Sequence, residues 1–249
     1  MISGFKALHK FIKDSKPKRV ALVAAEDPVL IQAAIRAQQE GLAHFILFGN
    51  SRKIESLIPP GITGFEIIDS QQPALDAIQH IHAGNADLLM KGKIQTGDLL
   101  RAILDKDTGL RQGELLNHIA VIESPHYHKL LFVSDGGINL HLDEHVFQQM
   151  VGNITQYLKL LGLDRPHFGM MALVETVSDK IPETVIARNV VKHLSKTVSI
   201  EGPIAPDVAL SREAAQKKGL NSKISGEIDV FLMPNTSAAN HLVKGLSAL

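Results

Sequence analysis

Two lysines flank a glycine directly after a short apolar run in this sequence. Leu88–Met90 has the composition of a buried strand, and Lys91, Gly92 and Lys93 then lead into an amphipathic helix. Gly92 permits a tight turn, the lysines supply positive charge, and free N–H groups at a helix start attract anions, with Thr96 as the expected N-cap. This pattern predicts a phosphate site. A βα turn whose lysines are merely solvated remains the alternative.

Polar turns also follow three other apolar segments. Ligands of open α/β sheets bind beyond the carboxyl ends of strands, so residues at such turns are candidates. The first turn contains Gly136 and Gly137, which allow close approach of the backbone. Asp207 in the second turn equally fits the N-cap of a following helix. The candidate ligand residues in these turns are Ser134, Asp135, Asn139, Glu201, Asp207, Asn235 and Asn240.

Strand-like and helix-like segments alternate along the chain, which predicts an α/β fold with a mostly parallel sheet covered on both faces. The predicted strands are Val20–Ala24, His44–Phe48, Phe65–Ile68, Leu88–Met90, Asn117–Glu123, Leu130–Val133, His167–Val174, Val198–Glu201 and Asp229–Met233. The predicted helices are Pro28–Gln39, Pro73–Ala83, Thr96–Leu104, Asp143–Leu161, Pro182–Lys196, Asp207–Lys218 and Ala238–Leu246. We expect two domains: residues 1–145 with 236–249, and residues 146–235.

The composition of the chain excludes several classes of protein. Lys plus Arg and Asp plus Glu both number 26, so neither nucleic acid nor an acidic membrane surface is an expected partner. The absence of cysteine excludes disulfides, thiolate metal sites and an acyl-cysteine intermediate. No apolar run of about 18 residues occurs, so we expect neither a signal peptide nor a membrane span. A cytoplasmic enzyme is the default expectation.

Six segments carry motifs in a fixed order along essentially the whole chain. They are Val20–Asp27, Asp87–Arg101, Gly109–Gly113, Leu131–Asn139, Glu201–Leu210 and Met233–Lys244. In combination these segments resemble the phosphate acetyl/butyryltransferase family, on its butyryl side. The combination is specific, although no single segment is.

The resemblance implies the reaction, the fold and the assembly of the protein. The implied reaction transfers a short-chain acyl group, butyryl or acetyl, between coenzyme A and inorganic phosphate. The implied fold has two α/β/α domains with a cleft between them, related to isocitrate and isopropylmalate dehydrogenases, and the implied assembly is a homodimer. Coenzyme A and phosphate are then substrates, with no metal and no tightly bound cofactor. Because the chain has no cysteine, direct transfer in a ternary complex is the expected mechanism.

The implied chemistry needs a base and an anion site. A thiol with a pKa of about 8.5 is only a few per cent thiolate at neutral pH, so a base should help to remove its proton. We expect Asp135 and Ser134 to act in catalysis. The expected binding residues for phosphate and acyl-CoA are Lys91, Lys93, Thr96, Asn139, Glu201, Asp207, Asn235 and Asn240.

The sequence departs from the family pattern at two places. Family members usually have glycine at the position of Ala239, directly before Asn240. Members also continue for several tens of residues past the last helix, with a Ser-Arg motif and an acidic residue implicated in phosphate binding and thiol deprotonation. A chain ending at Leu249 is therefore expected to have weak or no transferase activity. The alternative is a non-catalytic relative that binds acyl-CoA or phosphate, and a dehydrogenase of the related fold is a third interpretation.

One histidine motif suggests a different chemistry. His141, Glu144 and His145 have the H-x-x-E-H spacing of a zinc peptidase signature, which needs both histidines on one helix face and a third ligand. Asp143 at the same place fits the N-cap of the next helix, and we prefer that interpretation. We expect no metal site here.

Overall fold

The computed structural model describes residues 2–113 and 115–248, and it forms two compact units. One is His9–Gln112, called the N-terminal unit; the other, called the C-terminal unit, combines Met1–Leu8 with Gly113–Leu249. The predicted division at residues 145 and 236 does not match these units. The strand at residues 131–134 pairs with the strand at residues 230–232, so residues 113–145 belong to the C-terminal sheet. Leu249, on which the expectation of weak activity depends, lies outside the described residues.

The N-terminal unit is built around a parallel sheet. Its strands are β1 (Lys18–Val23), β2 (Ala43–Gly49), β3 (Glu66–Asp69) and β4 (Leu88–Lys91), in the order β3-β2-β1-β4. Helix α1 (Phe5–Lys13) precedes β1, and only its residues from His9 onward belong to this unit. The later helices are α2 (Pro28–Gln39), α3 (Ser51–Leu57), α4 (Pro73–His82) and α5 (Thr96–Ile103). Val20 and Leu22 pack in one apolar cluster while Ala21 and Val23 pack in another. Because side chains alternate along a strand, both faces of the central strand β1 are buried under helices. In β4 the predicted burial is only partial, because Leu88 is exposed.

The C-terminal unit has a second, mostly parallel sheet. Its strands are β5 (Ala120–Ile122), β6 (Leu131–Ser134), β7 (His167–Met171), β8 (Ser199–Ile204) and β9 (Val230–Leu232), in the order β5-β6-β9-β7-β8. Its later helices are α6 (Glu144–Leu160), α7 (Pro182–Leu194), α8 (Pro206–Leu210), α9 (Arg212–Lys217) and α10 (Thr236–Ala248). Only β5 among these strands is antiparallel to its neighbour, so the start of β5 lies at the edge where β6 ends.

The predicted α/β class with parallel sheets is confirmed, and so are most of the predicted elements. Helix α2 has the predicted bounds, and the Asp27 side chain caps it by accepting the N–H groups of Val29 and Leu30. Within the described residues, no helix has both the length and the apolar character needed to cross a bilayer.

Two predictions about the elements are wrong, and two helices were not predicted. Strand β8 runs on to Ile204, so Glu201 lies inside the strand and not in a turn after it. The helix predicted at residues 207–218 is two helices, α8 and α9, which are separated at Ser211. The Ser211 hydroxyl accepts the N–H of Ala214 and so caps α9. Helices α1 and α3 were not predicted.

Candidate functional site

The turn after β4 is held tightly against the end of β1. Gly92 N donates to Val23 O (2.8 Å), and Lys93 N donates to Ala24 O (2.7 Å). A Cβ at Gly92 would lie 2.2 Å from Val23 O and 2.4 Å from Ala24 O, so any side chain there would clash with main-chain atoms. Ala24 itself has a φ of 54°, in the left-handed region that L-residues avoid. The glycine therefore allows the backbone to place two lysines beside the sheet edge.

Lys91 and Lys93 keep their charges available at this turn. Both side chains are exposed, and neither forms an ion pair within the part of the chain that the structure describes. Lys91 Nζ makes one long contact with Gly92 O (3.3 Å). Positive charge without an internal partner, at the end of a parallel strand, is a suitable arrangement for binding an anion.

Helix α5 adds N–H groups to the same turn. The predicted N-cap, Thr96, is the first helical residue; the capping position belongs to Gln95, whose side chain makes no capping hydrogen bond. An uncapped helix start leaves main-chain donors for water or a ligand. The expected grouping of Lys91, Lys93 and Thr96 at one turn is thus present, although the N-cap role of Thr96 is wrong.

In the C-terminal unit, the turn after β6 is organised by Asp135. The carboxylate is fully buried, and its Oδ1 accepts the N–H groups of Gly137 (2.9 Å) and Ile138 (3.0 Å). Its Oδ2 accepts Asn139 N (3.2 Å) and Asn139 Nδ2 (2.5 Å). Four donors occupy the carboxylate oxygens, so this geometry favours a structural anchor over a proton acceptor for a substrate.

Ser134 is also buried, and its hydroxyl both donates and accepts a hydrogen bond. Its hydroxyl donates to His118 O (2.7 Å) and accepts from Asn117 Nδ2 (3.0 Å). Asn139 Nδ2 donates to Leu116 O (2.9 Å) in the same region. Ser134 directly, and Asp135 through Asn139, therefore connect the turn after β6 to the segment that precedes β5.

The start of helix α10 closes on the same turn. Asn240 Nδ2 donates to Gly136 O (2.8 Å), and the Thr236 hydroxyl donates to Asn139 O. Asn235 Oδ1 accepts the N–H of Ala238 (2.8 Å) and so caps the helix. The structure therefore brings Ser134, Asp135, Asn139 and Asn240 into one network, with Asn235 beside it as a helix cap.

Glu201 and Asp207 have other partners. Glu201 accepts the Ser222 hydroxyl (2.6 Å) and Lys223 N (2.8 Å), which fixes the loop at residues 222–223. Asp207 is the second residue of α8 and does not cap it; that position is Ala205. Asp207 lies 3.4 Å from Lys218 Nζ. The hydrogen bond from Lys218 to Glu175, with the charge of Asp207, raises the pKa of Lys218.

His118 is a residue at this site that the sequence analysis missed. Its imidazole is exposed, and Nδ1 lies 3.0 Å from where a Cβ on Gly136 would stand. A purely parallel sheet would put the start of the strand predicted at Asn117–Glu123 at the opposite edge, away from the turn after β6. The antiparallel pairing of β5 with β6 reverses that placement. A short polar loop that allows β6 to follow β5 as a hairpin was the available signal.

The zinc peptidase interpretation has no support in the fold. Asp143 Oδ1 accepts Val146 N (2.8 Å) and caps α6, as predicted. His145 is the second residue of α6, and its Nε2 contacts Gln149 Nε2 (2.7 Å). Residues 2–113 and 115–248 contain no group of three or more His, Asp or Glu side chains arranged to hold a metal ion.

Comparison with known proteins identifies the family. Residues 63–249 match the family described as Phosphate acetyl/butaryl transferase. The chain is 32% identical over 257 residues to the phosphate butyryltransferase of Clostridium acetobutylicum, covering 99% of this chain and 85% of that protein. The chain belongs to the phosphate acetyl/butyryltransferase family.

Further similarities extend across this phosphate acetyl/butyryltransferase chain. The phosphate acetyltransferase of Thermotoga maritima is 35% identical over 243 residues, covering 93% of this chain and 82% of that protein. Among solved structures, the branched-chain phosphotransacylase from Enterococcus faecalis superimposes with a TM-score of 0.83 at 26% identity, covering 93% of this chain and 84% of that one. The resemblance stated from the sequence is confirmed.

Proposed function

We propose that the protein is a phosphate acyltransferase that moves a short-chain acyl group between coenzyme A and inorganic phosphate. The observation that carries the proposal is the family match together with 32% identity to a phosphate butyryltransferase along 99% of the chain. The local geometry supports this activity, because Lys91 and Lys93 lie at a strand end, where ligands of α/β sheets bind.

Phosphate is the ligand we assign to the turn after β4. Lys91 and Lys93 supply two positive charges, and the uncapped start of α5 supplies main-chain N–H donors. Charge-assisted hydrogen bonds to an oxyanion are roughly twice as strong as neutral ones. Gly92 keeps this turn rigid through its contacts with the end of β1, so the site is organised before phosphate binds.

The proposed transfer is direct. A phosphate oxygen attacks the thioester carbonyl carbon, the carbonyl oxygen gains negative charge in the tetrahedral species, and the C–S bond then breaks. Fixed N–H or ammonium donors lower the energy of that species by about 3 kcal/mol each. The attacking phosphate gives up its hydroxyl proton, and the departing coenzyme A sulfur takes up a proton as it leaves. The reverse reaction removes the proton from the thiol and returns one to the departing phosphate.

Asp135 and Ser134 receive a positioning role in this proposal. Their oxygens already accept or donate hydrogen bonds within the turn and its neighbouring segment, so proton transfer to a substrate would require these bonds to break. We propose that they hold Gly136, Gly137 and Asn139 in place. Glu201 accepts the Ser222 hydroxyl and Asp207 lies near Lys218, and the binding of substrate by these two carboxylates stays a prediction.

Phosphate-dependent release of free thiol from acetyl-, butyryl- and longer acyl-CoA tests the function. Lys91→Ala removes one charge-assisted contact, worth about 1.5–3 kcal/mol, and should raise the KM for phosphate by about 10- to 100-fold. Lys53→Ala, an exposed lysine on α3, is the matched control and should leave the rate unchanged. Unaltered phosphate dependence in Lys91→Ala would contradict the assignment of this turn to phosphate.

The finer architecture implied by the family remains part of the proposal. We propose a homodimer and a fold of the isocitrate/isopropylmalate dehydrogenase type, with coenzyme A and phosphate as substrates and no tightly bound cofactor. Sedimentation equilibrium tests the assembly, for which a single species of monomer mass would contradict the dimer. An activity that survives exhaustive treatment with a chelator supports the absence of a metal requirement.

A further inference from the structure

A cavity of about 440 Å³ lies at the amino ends of β7 and β8 in the C-terminal unit. Its walls are the segment before β7, the segment between α7 and β8, and Thr155 of α6. Strands β6, β9, β7 and β8 run parallel, so the turn after β6 lies at the opposite edge of the same sheet. The cavity is therefore separate from that turn, and its volume is in the range of small-molecule sites.

Two cationic side chains that line this cavity have no anionic partner. Arg165 and Lys196 are both exposed, and neither forms an ion pair or a side-chain hydrogen bond within residues 2–113 and 115–248. Asp164 also lines the cavity, but it pairs with neither of them. A guanidinium and an ammonium group together suit a phosphate group, because both make charge-assisted hydrogen bonds to its oxygens.

The helices that end near the cavity do not need these two cations as caps. Lys and Arg side chains near a helix C-terminus often bind its last carbonyl oxygens. Here main-chain groups take that place: at the end of α6, Leu163 N donates to Leu158 O (3.0 Å), and at the end of α7, Thr197 N donates to Leu194 O (2.9 Å). The charged ends of Arg165 and Lys196 are thus left for a ligand.

Other polar groups of the cavity wall are fixed by contacts within the unit. Ser199 Oγ lies 2.7 Å from His167 Nδ1, across the paired strands β7 and β8. The Thr155 hydroxyl donates to Val151 O (2.7 Å) within α6. These contacts shape the wall before any ligand enters, which lowers the ordering cost of binding.

We propose that this cavity binds the phosphate ester of a sugar, either a free sugar phosphate or a nucleotide. Arg165 and Lys196 bind the phosphate group, and Asp164 accepts hydrogen bonds from the sugar hydroxyls. The carboxylate selects the ester over inorganic phosphate, because it repels an anion that brings no sugar hydroxyls to it. Binding here does not require the transferase activity, so the test measures binding alone.

Calorimetric titration with ribose 5-phosphate, AMP and inorganic phosphate is the test. We expect at least one of the two esters to bind more tightly than inorganic phosphate, and the ester that binds distinguishes a free sugar phosphate from a nucleotide. Arg165→Ala and Lys196→Ala should each weaken the binding of that ester by about 10- to 100-fold. Lys192→Ala, an exposed lysine in the last turn of α7 outside the cavity, is the matched control and should leave the affinity unchanged.

Asp164→Asn separates a sugar-phosphate site from a simple basic patch. The variant loses a negative charge beside the two cations, so inorganic phosphate should bind more tightly. The ester loses its charged hydrogen-bond acceptor, so its advantage over inorganic phosphate should shrink. An equal gain in affinity for the ester and for inorganic phosphate would overturn the contact between Asp164 and the sugar.

Three other results would overturn the proposal. The first is the absence of binding by both esters at about 10 mM, and the second is ester binding that persists in the Arg165→Ala/Lys196→Ala double variant. The third is ester binding that Lys91→Ala abolishes, which would place the ligand at the turn after β4. Thermal unfolding monitored by circular dichroism checks that each variant is folded, as we expect for substitutions of exposed side chains.

Discussion

The substitution Asp135→Asn separates an anchoring role from a catalytic one. The asparagine oxygen can still accept the N–H groups of Gly137 and Ile138, but its NH₂ group would face two donors of Asn139, the main-chain N–H and Nδ2. Reversing the Asn139 amide would sacrifice its hydrogen bond to Leu116 O. The variant therefore loses at least one hydrogen bond to a charged acceptor and places donors against each other in a buried site.

The size of the effect follows from these contacts. Each hydrogen bond to a charged group is worth about 1.5–3 kcal/mol, so losing one or two with some relaxation should cost about 2–4 kcal/mol. The loss lowers the free energy needed to open the turn locally. It corresponds to about 30- to 1000-fold faster amide exchange at residues 137–139. A general base replaced by its amide would instead lose activity while the turn remained protected.

Native-state hydrogen exchange at residues 137–139 is the assay. Global unfolding is followed by circular dichroism, because the chain has no tryptophan to report it. Asp164→Asn, an exposed aspartate of the same unit, is the control and should change stability by less than about 0.5 kcal/mol. Unchanged protection of residues 137–139 in Asp135→Asn, combined with abolished activity, would refute the anchoring role and return Asp135 to catalysis.

Three further perturbations test other parts of the fold. Gly92→Ala puts a Cβ 2.2 Å from a main-chain oxygen of β1, so we expect a loss of more than about 2 kcal/mol in unfolding free energy and weaker phosphate binding, measured by urea denaturation and calorimetry. The hydrogen bonds from Arg19 lower the pKa of Asp87 from 3.8 to about 2. The stability that this shift supplies is present above about pH 4 and is lost as pH falls towards 2. Acid titration of Asp87→Asn should lack this pH-dependent part of the unfolding free energy. Lys129→Met leaves the buried Asp229 carboxylate without the ammonium 2.7 Å away, which should cost about 3–5 kcal/mol, whereas adding Asp229→Asn should recover part of the loss in a denaturation series.

The elements that could be predicted from the sequence are those that depend on local patterns of residues. Asp27 followed by Pro28 defines a helix start whose capping geometry depends on neighbouring residues alone, and α2 begins where this pattern places it. The same is true of Asp143 and α6. The family resemblance added the reaction, because several weak motifs in a fixed order are together more specific than any one of them.

The parts that sequence reasoning missed depend on contacts between distant segments. Glu201 looks available in a polar turn, but its partners, Ser222 and Lys223, are about twenty residues away. Asp135 was recognised as a candidate, yet only the folded turn reveals that four donors occupy its oxygens. His118 lies beside the turn after β6 because β5 pairs antiparallel with β6. The local sequence does not determine this pairing direction, since it depends on tertiary packing.

We have proposed that this chain transfers an acyl group between coenzyme A and phosphate, with phosphate bound at the turn after β4. The most direct measurement follows thiol release from butyryl-CoA by the purified chain over a range of phosphate concentrations, with Lys91→Ala and Lys53→Ala measured beside it. We expect saturable, phosphate-dependent release that requires about 10- to 100-fold more phosphate in Lys91→Ala and is unchanged in Lys53→Ala. The absence of phosphate-dependent release from acetyl-, butyryl- and longer acyl-CoA would show that the chain is not a phosphate acyltransferase.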